Sequence, residues 1–477
     1  MLTETVIREL RSIAGAEAVL DRPEDLMLYE YDGGLSTGSP KVVVLPRSTE
    51  QVAQIVRLAG REGIPIVPRG AGTGLSGGAI ARNGGIVIGF ARMNRILEFD
   101  VPNLRAVVQP GVVNFELSQE AGRYGLYFAP DPSSQKACTL GGNVAENSGG
   151  PHTLISGVTV NHVTGLTVVL PDGRIVQFGG KAADNCGYDL TGFFIGSEGT
   201  LGIATEIIVK LTRLPEAVET LLAIYNTVDD AAKTVTAITA TGITPAALEM
   251  LDGWTLRSVE EATHAGYPLD ANAVLLIEIE GLREAVTEQA EDIRRACLSQ
   301  GAREVRRAAT PQERELLWKG RKNAFGSLGR LAPAYYTQDG VVPRTRIAEV
   351  LRFVNDVSEK YKLAIGNVFH AGDGNLHPCI LFDPRDPDQV HRTHQAGNEI
   401  LRYCIDVGGS ITGEHGVGME KSEIMSELFS SDDLDVMKRM HDAFNPNCLL
   451  NPQKVFPTSR SCRETRQSVH PATAGGL

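Results

Sequence analysis

Residues 367–382, NVFHAGDGNLHPCILF, contain two histidines that a hairpin could bring face to face. The pair Asp373-Gly374 between apolar flanks is typical of a two-residue β-turn. With that turn His370 lies directly opposite His377, where cross-strand Cβ atoms are about 5 Å apart. Imidazoles at that separation can chelate one cation, so a metal site is favoured here over two structural histidines.

A third ligand has to come from another segment, and residues 408–421, GGSITGEHGVGMEK, offer one. Glu414 stands beside His415, and Gly413 and Gly416 flank the pair. The H-E-x-x-H motif of a zinc-binding helix is absent, and the glycines indicate a loop or strand end. The alternative is a Glu-His pair on the surface.

A helix is expected from Thr310, because Pro311 at the first helical position and Glu313 complete a capping signal. Arg321 interrupts the apolar stripe of this helix, which consists of Leu317, Ala324, Phe325 and Leu328. One interpretation is that the stem of Arg321 packs while its guanidinium reaches water. The other is that the guanidinium turns inward and binds a carboxylate with two hydrogen bonds.

The elements that must position these side chains belong to a chain of 477 residues, enough for about three folding units. Hydrophobic residues make up 42% and charged residues 22%, as in globular proteins. The net charge of -12 disfavours nucleic acids and anionic lipids as main partners. No apolar run approaches the roughly 18 residues that span a bilayer, and the first ten residues lack a signal-peptide pattern. We expect a cytoplasmic protein.

The pattern of short strands and helices predicts an α+β fold. Residues 41–68 read as a βαβ unit, with Ser48 and Gln51 in capping-box spacing and a helix ending at Gly60 or Gly63. From about residue 218, longer alternations indicate a second α+β domain with an antiparallel sheet. The expected organisation is an N-terminal helical segment (1–37), a first domain (38–217), a second domain (218–405), a C-terminal segment completing the site (406–457) and a loose tail (458–477).

Glycine is concentrated in the first domain: 27 of the 51 glycines fall between residues 60 and 202. Residues 68–79, PRGAGTGLSGGA, match the G-x-G-x-x-G pattern of a dinucleotide-binding turn. That assignment is rejected, because the required helix is missing and a strand begins nine residues after Gly77. What remains is a loop whose backbone amides can bind an anion. Two more small-residue loops, at 129–150 and 194–202, indicate one extended ligand.

These loops, together with QPGV (109–112) and LLNPQK (449–454), resemble the FAD contacts of vanillyl-alcohol oxidase or PCMH-type flavoproteins. Within that family the chain is most similar to the FAD-binding subunits of glycolate oxidases and to D-lactate and D-2-hydroxyacid dehydrogenases. The resemblance implies a two-subdomain FAD-binding domain followed by a substrate, or cap, domain. The implied FAD-binding residues are Arg69, Gly70, Ala71, Gly72, Thr73, Gly74, Ser76, Pro130, Asp131, Ser133, Ser134, Gly141, Gly142, Asn143, Ala145, Glu198, Gly199, Ile203 and Asn451, with Glu198 and Ile203 near the adenosine half.

The resemblance also implies roles in the second domain. His370, His377 and Glu414 would be ligands of a divalent metal, zinc, iron or manganese, with His415 as catalytic base and Arg321 as the substrate-carboxylate residue. Members that oxidise longer diacids carry further polar residues where this chain has Phe325, Thr337 and Cys379, which favours a small substrate. The first glycine loop has no histidine to attach the flavin, so we expect non-covalent FAD. Gln453 stands where relatives often carry glycine.

The expected activity is oxidation of a small 2-hydroxy acid, glycolate or D-lactate, with hydride transfer to FAD. Electrons would pass to a second flavin-type subunit and an iron-sulfur subunit, or to another acceptor, which would place the protein at most peripherally on the inner face of the membrane. Alternatives are a D-lactate or D-2-hydroxyglutarate dehydrogenase with another acceptor, a non-redox enzyme of the ether-lipid synthase branch, and a non-catalytic scaffold.

Overall fold

The computed structural model describes residues 2–182 and 186–458. The predicted tail at 458–477 lies outside the described residues except for Thr458. Among the residues described, no helix is long and apolar enough to cross a membrane.

The first part of the chain contains three sheets, of four, five and two strands. Its strands are β1 (Val19–Leu20), β2 (Val42–Val44), β3 (Ile66–Arg69), β4 (Ile86–Gly89), β5 (Ile96–Asp100), β6 (Arg105–Val108), β7 (Leu126–Tyr127), β8 (Val163–Val169), β9 (Ile175–Gly179), β10 (Ile203–Lys210) and β11 (Thr212–Arg213). Its helices are α1 (Glu4–Ala14), α2 (Pro23–Leu26), α3 (Thr49–Glu62), α4 (Asn114–Gly122), α5 (Leu140–Glu146), α6 (Thr153–Ser156) and α7 (Leu190–Phe194).

The smaller sheet has the order β1-β2-β4-β3, with β2 and β3 both parallel to β4. The predicted βαβ unit is confirmed. The Ser48 hydroxyl accepts from Gln51 N, the Gln51 side chain accepts from Arg47 N, and α3 ends at Gly63 in the left-handed conformation. The second sheet is antiparallel, with the order β5-β6-β10-β8-β9. Between β3 and β4 the described chain forms a loop without a helix, as the rejection of a dinucleotide-binding turn requires.

The second part is built on one large sheet. Its strands are β12 (Ala217–Tyr225), β13 (Ala247–Asp252), β14 (Ala273–Gly281), β15 (Glu304–Arg307), β16 (Ala334–Thr337), β17 (Gly340–Val341), β18 (Ile365–His370), β19 (Asn375–Leu376) and β20 (Pro378–Phe382). The helices are α8 (Val228–Ala240), α9 (Gly253–Thr263), α10 (Arg283–Ser299), α11 (Pro311–Lys322), α12 (Ala324–Leu328), α13 (Ile347–Tyr361), α14 (Pro387–Asp406), α15 (Met425–Leu428) and α16 (Ser431–Phe444).

This sheet is antiparallel, in the order β15-β12-β14-β13-β18-β19-β17, with β20 joining β18 to β16. Both of its faces are buried. On β12, Leu221 and Ala223 belong to one apolar cluster, which includes residues of α8, α10, α13 and α14, and Leu222 and Ile224 to another, which includes residues of α9, α11 and α12. This arrangement accounts for the nearly continuous apolar sequence of the central strands.

The helix predicted from Thr310 is shorter than expected. Thr310 caps α11 through a bond from Glu313 N, as the sequence indicates, but α11 ends at Lys322 and α12 starts at Ala324. Asn323 separates the two helices, and its side-chain amide donates to Lys319 O. The break places Phe325 on a separate short helix from Arg321.

Candidate active site

The histidine hairpin forms, but with a different register from the predicted one. His370, the last residue of β18, pairs with Asn375, and Asn367 pairs with Pro378. The turn is therefore four residues long rather than two, with bonds from Asp373 N to His370 O and from Gly374 N to Ala371 O. The predicted direct pairing of His370 with His377 is wrong. A shift of two residues preserves the face of each side chain, so the two rings still meet diagonally, with centroids 5.1 Å apart.

Glu249 fixes the orientation of His370. It lies opposite His370 in the register of β13 and β18, and its carboxylate oxygens are 2.8 and 3.0 Å from His370 Nδ1. The other ring nitrogen, Nε2, is therefore free to face Glu414, whose Oε1 is 3.3 Å away. A carboxylate that holds one imidazole nitrogen while the other binds metal is a recurrent feature of metal sites.

The three predicted ligands come together. Glu414 Oε1 is 3.3 Å from His370 Nε2 and 3.4 Å from His377 Nε2. Two atoms that each bind one cation at about 2.1 Å with tetrahedral angles are about 3.4 Å apart, so the spacing fits a metal. Both ring nitrogens of His377 are buried, without a hydrogen-bond partner among the described residues. A divalent cation would satisfy one of them.

The charges of the cluster are mutually stabilising. Burial lowers the pKa of His370, but the carboxylates of Glu249 and Glu414 outweigh it and raise that pKa to about 10. Burial raises the pKa of Glu414, but the three neighbouring imidazoles lower it to about 2. A cation that binds His370 must displace a proton, so its binding depends on pH.

His415 lies against this cluster. Its ring stacks on that of His377, with centroids 4.9 Å apart and an interplanar angle of 11°. Burial lowers the pKa of His415 to about 4, although Asp339 and Glu414 oppose the shift. The ring is therefore neutral near pH 7 and can accept a proton.

A second group of ligand atoms comes from Asp339, His377 and His415, and it is looser, with Asp339 oxygens 3.6 Å from His377 Nε2 and 4.0 Å from His415 Nδ1. Asp339 is also a poor metal ligand, because its oxygens already accept hydrogen bonds from the loop around Glu414 and from Lys421 Nζ at 2.9 Å. Among the described residues, the carboxylate of Glu414 accepts no comparable set of backbone hydrogen bonds. The geometry therefore favours His370, His377 and Glu414.

Arg321 is turned inward, with 1% of its surface exposed. Its Nη2 is 2.5 Å from Oε2 of Glu249, the carboxylate that also holds His370. Its Nε is buried and has no hydrogen-bond partner in the part of the chain that the structure describes. The guanidinium thus sits within the cluster rather than reaching water, with one donor group unused.

One cavity is lined both by the glycine loops of the first domain and by Glu414 and His415. Gly74 and Gly142 lie on its wall, and a Cβ at either position would meet no atom closer than 3.6 Å. Their missing side chains leave room for a ligand along the backbone. Most predicted FAD residues lie on this wall: Arg69, Gly70, Ala71, Gly72, Thr73, Gly74, Ser133, Ser134, Gly141, Gly142, Asn143, Ala145, Glu198, Gly199, Ile203 and Asn451.

Ser76, Pro130 and Asp131 are not among the wall residues. The carbonyl of Ser76 accepts from Met419 N, that of Pro130 accepts from the Asn114 side chain, and Asp131 accepts from His152. The carboxylate of Glu198 accepts from Val417 N and Gly418 N, so it joins the first glycine-rich domain to the loop that carries His415.

Four residues that sequence reasoning missed shape the site: Glu249, Asp339, Glu146 and Lys322. Glu249 and Asp339 are fully buried next to the histidines, and Glu146 and Lys322 lie on the cavity wall. A signal existed for Glu249, a charged residue inside the apolar strand ALEMLD. Asp339, between polar and small residues, had none.

The fold is that of PCMH-type flavoproteins. Two solved structures superpose with a TM-score of 0.78: 4-ethylphenol oxidase from Gulosibacter chungangensis, at 19% identity over 95% of this chain and 97% of that one, and p-cresol methylhydroxylase, at 16% over 96% and 98%. The match to the family of FAD linked oxidases gives a more specific assignment than the fold does. The family's FAD binding domain matches residues 40–179 and its C-terminal domain matches residues 214–455. The chain belongs to this family and is an FAD-dependent oxidoreductase.

The similarity to named relatives extends over nearly the whole chain. The glycolate oxidase subunit GlcD of Escherichia coli (strain K12) is 44% identical over 461 residues, 96% of this chain and 92% of that protein. The subunit of the same name from Bacillus subtilis (strain 168) is 44% identical over 458 residues, 96% and 97%. A D-lactate dehydrogenase of Anaerostipes hadrus is 34% identical over 469 residues, 95% and 98%.

Proposed function

We propose that this protein oxidises a small 2-hydroxy acid to the 2-oxo acid, with glycolate and D-lactate as the candidate substrates. One observation carries the proposal. Glu414 and His415 adjoin His370 and His377. They lie on the wall of the same cavity as the glycine loops. A proton acceptor and a cation site thus face the place where FAD would lie. The names of the relatives, glycolate oxidase subunit and D-lactate dehydrogenase, agree with this substrate class.

His415 is the proposed general base. It is neutral near pH 7 because burial lowers its pKa, and it is 14% exposed at the cavity. It takes the proton of the substrate hydroxyl as the C2 hydrogen leaves with its electron pair. When FAD is bound, it supplies the acceptor for that hydride. FAD is held without a covalent bond.

His370, His377 and Glu414 would hold a divalent cation, for which zinc, iron and manganese are candidates. Two histidines and one carboxylate leave coordination positions for substrate oxygens, as in catalytic sites. The positive charge would make the hydroxyl proton easier for His415 to remove. Arg321 donates a hydrogen bond from its unused Nε to the substrate carboxylate. Glu249 compensates the positive charge of Arg321.

The substrate is small because an aromatic wall closes the cluster on one side. Phe325 stacks on Tyr335, with centroids 6.4 Å apart, and lies 6.0 Å from the His377 ring. Thr337 and Cys379 hydrogen-bond to each other at 3.5 Å and present no charge to a second carboxylate. We therefore expect a methyl group to be accepted beside this wall in preference to a diacid chain.

Reduced FAD must pass its electrons on. We infer a partner subunit as the acceptor, because two of the relatives are named as subunits of glycolate oxidase. An iron-sulfur protein and a second flavin-type subunit are the partners that the resemblance to glycolate oxidases implies. Dioxygen is the alternative, and hydrogen peroxide formed by the purified chain would support it.

The experiment is anaerobic flavin bleaching. The purified yellow protein is mixed with glycolate, D-lactate, L-lactate and D-2-hydroxyglutarate, and absorbance near the flavin maximum is followed while metal content is measured on the same sample. We expect bleaching by glycolate or D-lactate and about one bound metal per chain. Oxidised flavin after every acid would refute the proposal, and bleaching by D-2-hydroxyglutarate alone would replace the small substrate by a diacid.

A further inference from the structure

We propose that Asp339 is the positioning residue that holds Glu414 and His415 in their working geometry. This inference rests on the proposed function for the roles of those two side chains, but the loop geometry is a property of the chain itself. Asp339 directly precedes β17 and is completely buried. Neither the resemblance to FAD-linked oxidases nor the spacing of motifs points to it.

The carboxylate of Asp339 collects donors from one short loop. The backbone amides of Gly413 and His415 donate to Oδ2 at 3.1 and 3.0 Å, and that of Glu414 lies 3.3 Å from Oδ1. The hydroxyl of Thr412 donates to Oδ2 at 2.5 Å. Successive amides around one anion form a nest, which fixes the backbone of all the residues that contribute.

The same carboxylate reaches the hairpin. Asn375 Nδ2 donates to Asp339 Oδ1 at 2.9 Å, and His377 Nε2 lies 3.6 Å from that oxygen. Asn375 is the partner of His370 in the register of β18 and β19. One side chain therefore joins the hairpin that carries His370 and His377 to the loop that carries Glu414.

Lys421 compensates the charge. Its Nζ lies 2.9 Å from Asp339 Oδ2, and both side chains are buried. Asp339 is thus both the ion-pair partner of Lys421 and the acceptor that anchors the backbone of the loop at 412–415. Because Lys421 compensates the Asp339 carboxylate, no metal ion is needed to keep that charge buried, which separates the function of Asp339 from that of Glu414.

An amide cannot replace this carboxylate. In Asp339→Asn the side chain keeps its volume, but its NH2 group must face N–H donors or the Lys421 ammonium. Two donors that face each other in a buried site cost free energy, and the loop can avoid that cost only by moving. We therefore expect D339N to displace Glu414 and His415 without removing either.

The matched control is Asp252→Asn. Asp252 lies in the same sheet domain and accepts from Thr255 N, Asn367 N and Asn367 Nδ2 at 2.8 to 2.9 Å, and among the described residues it makes no hydrogen bond to the loop at 412–416. It reports what the loss of a partly buried, hydrogen-bonded carboxylate does to stability alone. Both variants are prepared as the full chain with FAD bound.

Three measurements test the proposal. Amide hydrogen exchange of residues 412–416 should be at least about tenfold faster in D339N and unchanged in D252N. Mn²⁺ binding, measured against a chelator, should weaken about tenfold or more in D339N only. In D339N the limiting rate of flavin reduction should fall by a larger factor than the KM for the hydroxy acid rises. If exchange and Mn²⁺ binding are unchanged in D339N, Asp339 does not position the loop. If D252N changes both by the same factors, the effect of D339N is a general loss of stability and the positioning role is refuted.

A milder variant covers the case in which D339N does not fold. Thr412→Val removes only one donor of the nest and buries no unpaired charge. It should shift exchange and Mn²⁺ binding in the same direction by a smaller factor, and wild-type values would contradict the proposal. A wild-type protein whose flavin no hydroxy acid reduces would refute the proposed function, whereas the exchange result would still decide on Asp339.

Discussion

Glu249 Oε1 lies 2.8 Å from His370 Nδ1, across the pairing of β13 with β18. The other oxygen of that carboxylate is 2.5 Å from Arg321 Nη2 on α11. Glu249 thus stands between the proposed substrate-binding arginine and a proposed metal ligand. Burial raises its pKa, but Arg321 and His370 outweigh burial and lower it, so the carboxylate stays ionised between them.

The first prediction concerns this link. Glu249→Gln should weaken divalent-metal affinity about 10- to 100-fold, because the amide no longer fixes the tautomer of His370. It should also lower the melting temperature, since Arg321 loses its buried counter-ion. The control is Glu278→Gln, which removes an equally buried carboxylate from its ion pair with the partly exposed Arg314. Loss of stability in both variants with unchanged metal affinity in E249Q would contradict the assignment.

The base assignment predicts a specific loss. His415→Gln should keep FAD bound while the rate of anaerobic flavin reduction falls about 10²- to 10⁴-fold, because nothing accepts the hydroxyl proton. Stopped-flow absorbance measures it. His394→Gln, a ring that packs on Tyr336 away from the cluster, should reduce its flavin at the wild-type rate. Unimpaired reduction in H415Q would refute the assignment.

Arg321 should be irreplaceable by lysine. Arg321→Lys should raise KM for the hydroxy acid about tenfold or more, because an ammonium cannot copy the planar guanidinium between Glu249 and the substrate. Arg314→Lys, on the same helix, should leave KM unchanged. Steady-state kinetics with an artificial acceptor measure both. Equal KM values in R321K and wild type would leave Arg321 a purely structural role.

His152 should make the stability of the protein depend on pH. It bridges Asp131 of the first domain, at 2.9 Å, and Glu278 of the second, at 3.3 Å, and it stacks on Trp318. Burial lowers the pKa of His152, but Asp131 and Glu278 outweigh it and raise the pKa to about 10. The raised pKa means that the charged ring stabilises the fold fully below about pH 6.5 and that this contribution is lost as pH rises toward 10.

The measurement compares wild type with His152→Gln in melting experiments from pH 6 to pH 10. The difference in melting temperature should be largest at pH 6 and should shrink as the pH approaches 10. A difference that stays constant over this range would show that the charge of His152 contributes nothing.

The aromatic wall should set substrate size. Phe325→Ala should raise kcat/KM for longer 2-hydroxy acids relative to glycolate about tenfold, because the space beside His377 opens. Leu316→Ala, on the exposed side of α11, is the control and should leave the ratio unchanged. A panel of hydroxy acids of increasing length gives the ratio, and a preference unchanged in F325A would place the limit elsewhere.

Local patterns in the sequence predicted much of this protein. The glycine loops, the capping residues of α3 and α11 and the apolar strands act over a few neighbouring residues, so their spacing alone indicates loops, helix starts and sheets. The two histidines also share a face because strand periodicity is two, and even the wrong register of the hairpin preserved that face.

Long-range pairing was beyond the sequence. Glu249 meets His370 and Arg321 only because β13 and β18 pair in one register and α11 packs over them, 72 residues from Glu249 to Arg321 along the chain. Asp339 binds a loop whose residues begin at position 412. The residue types determined which chemistry is available. The tertiary structure decided which buried carboxylates orient the histidines and compensate the charge of Arg321 and Lys421, because burial and distance depend on contacts between remote segments.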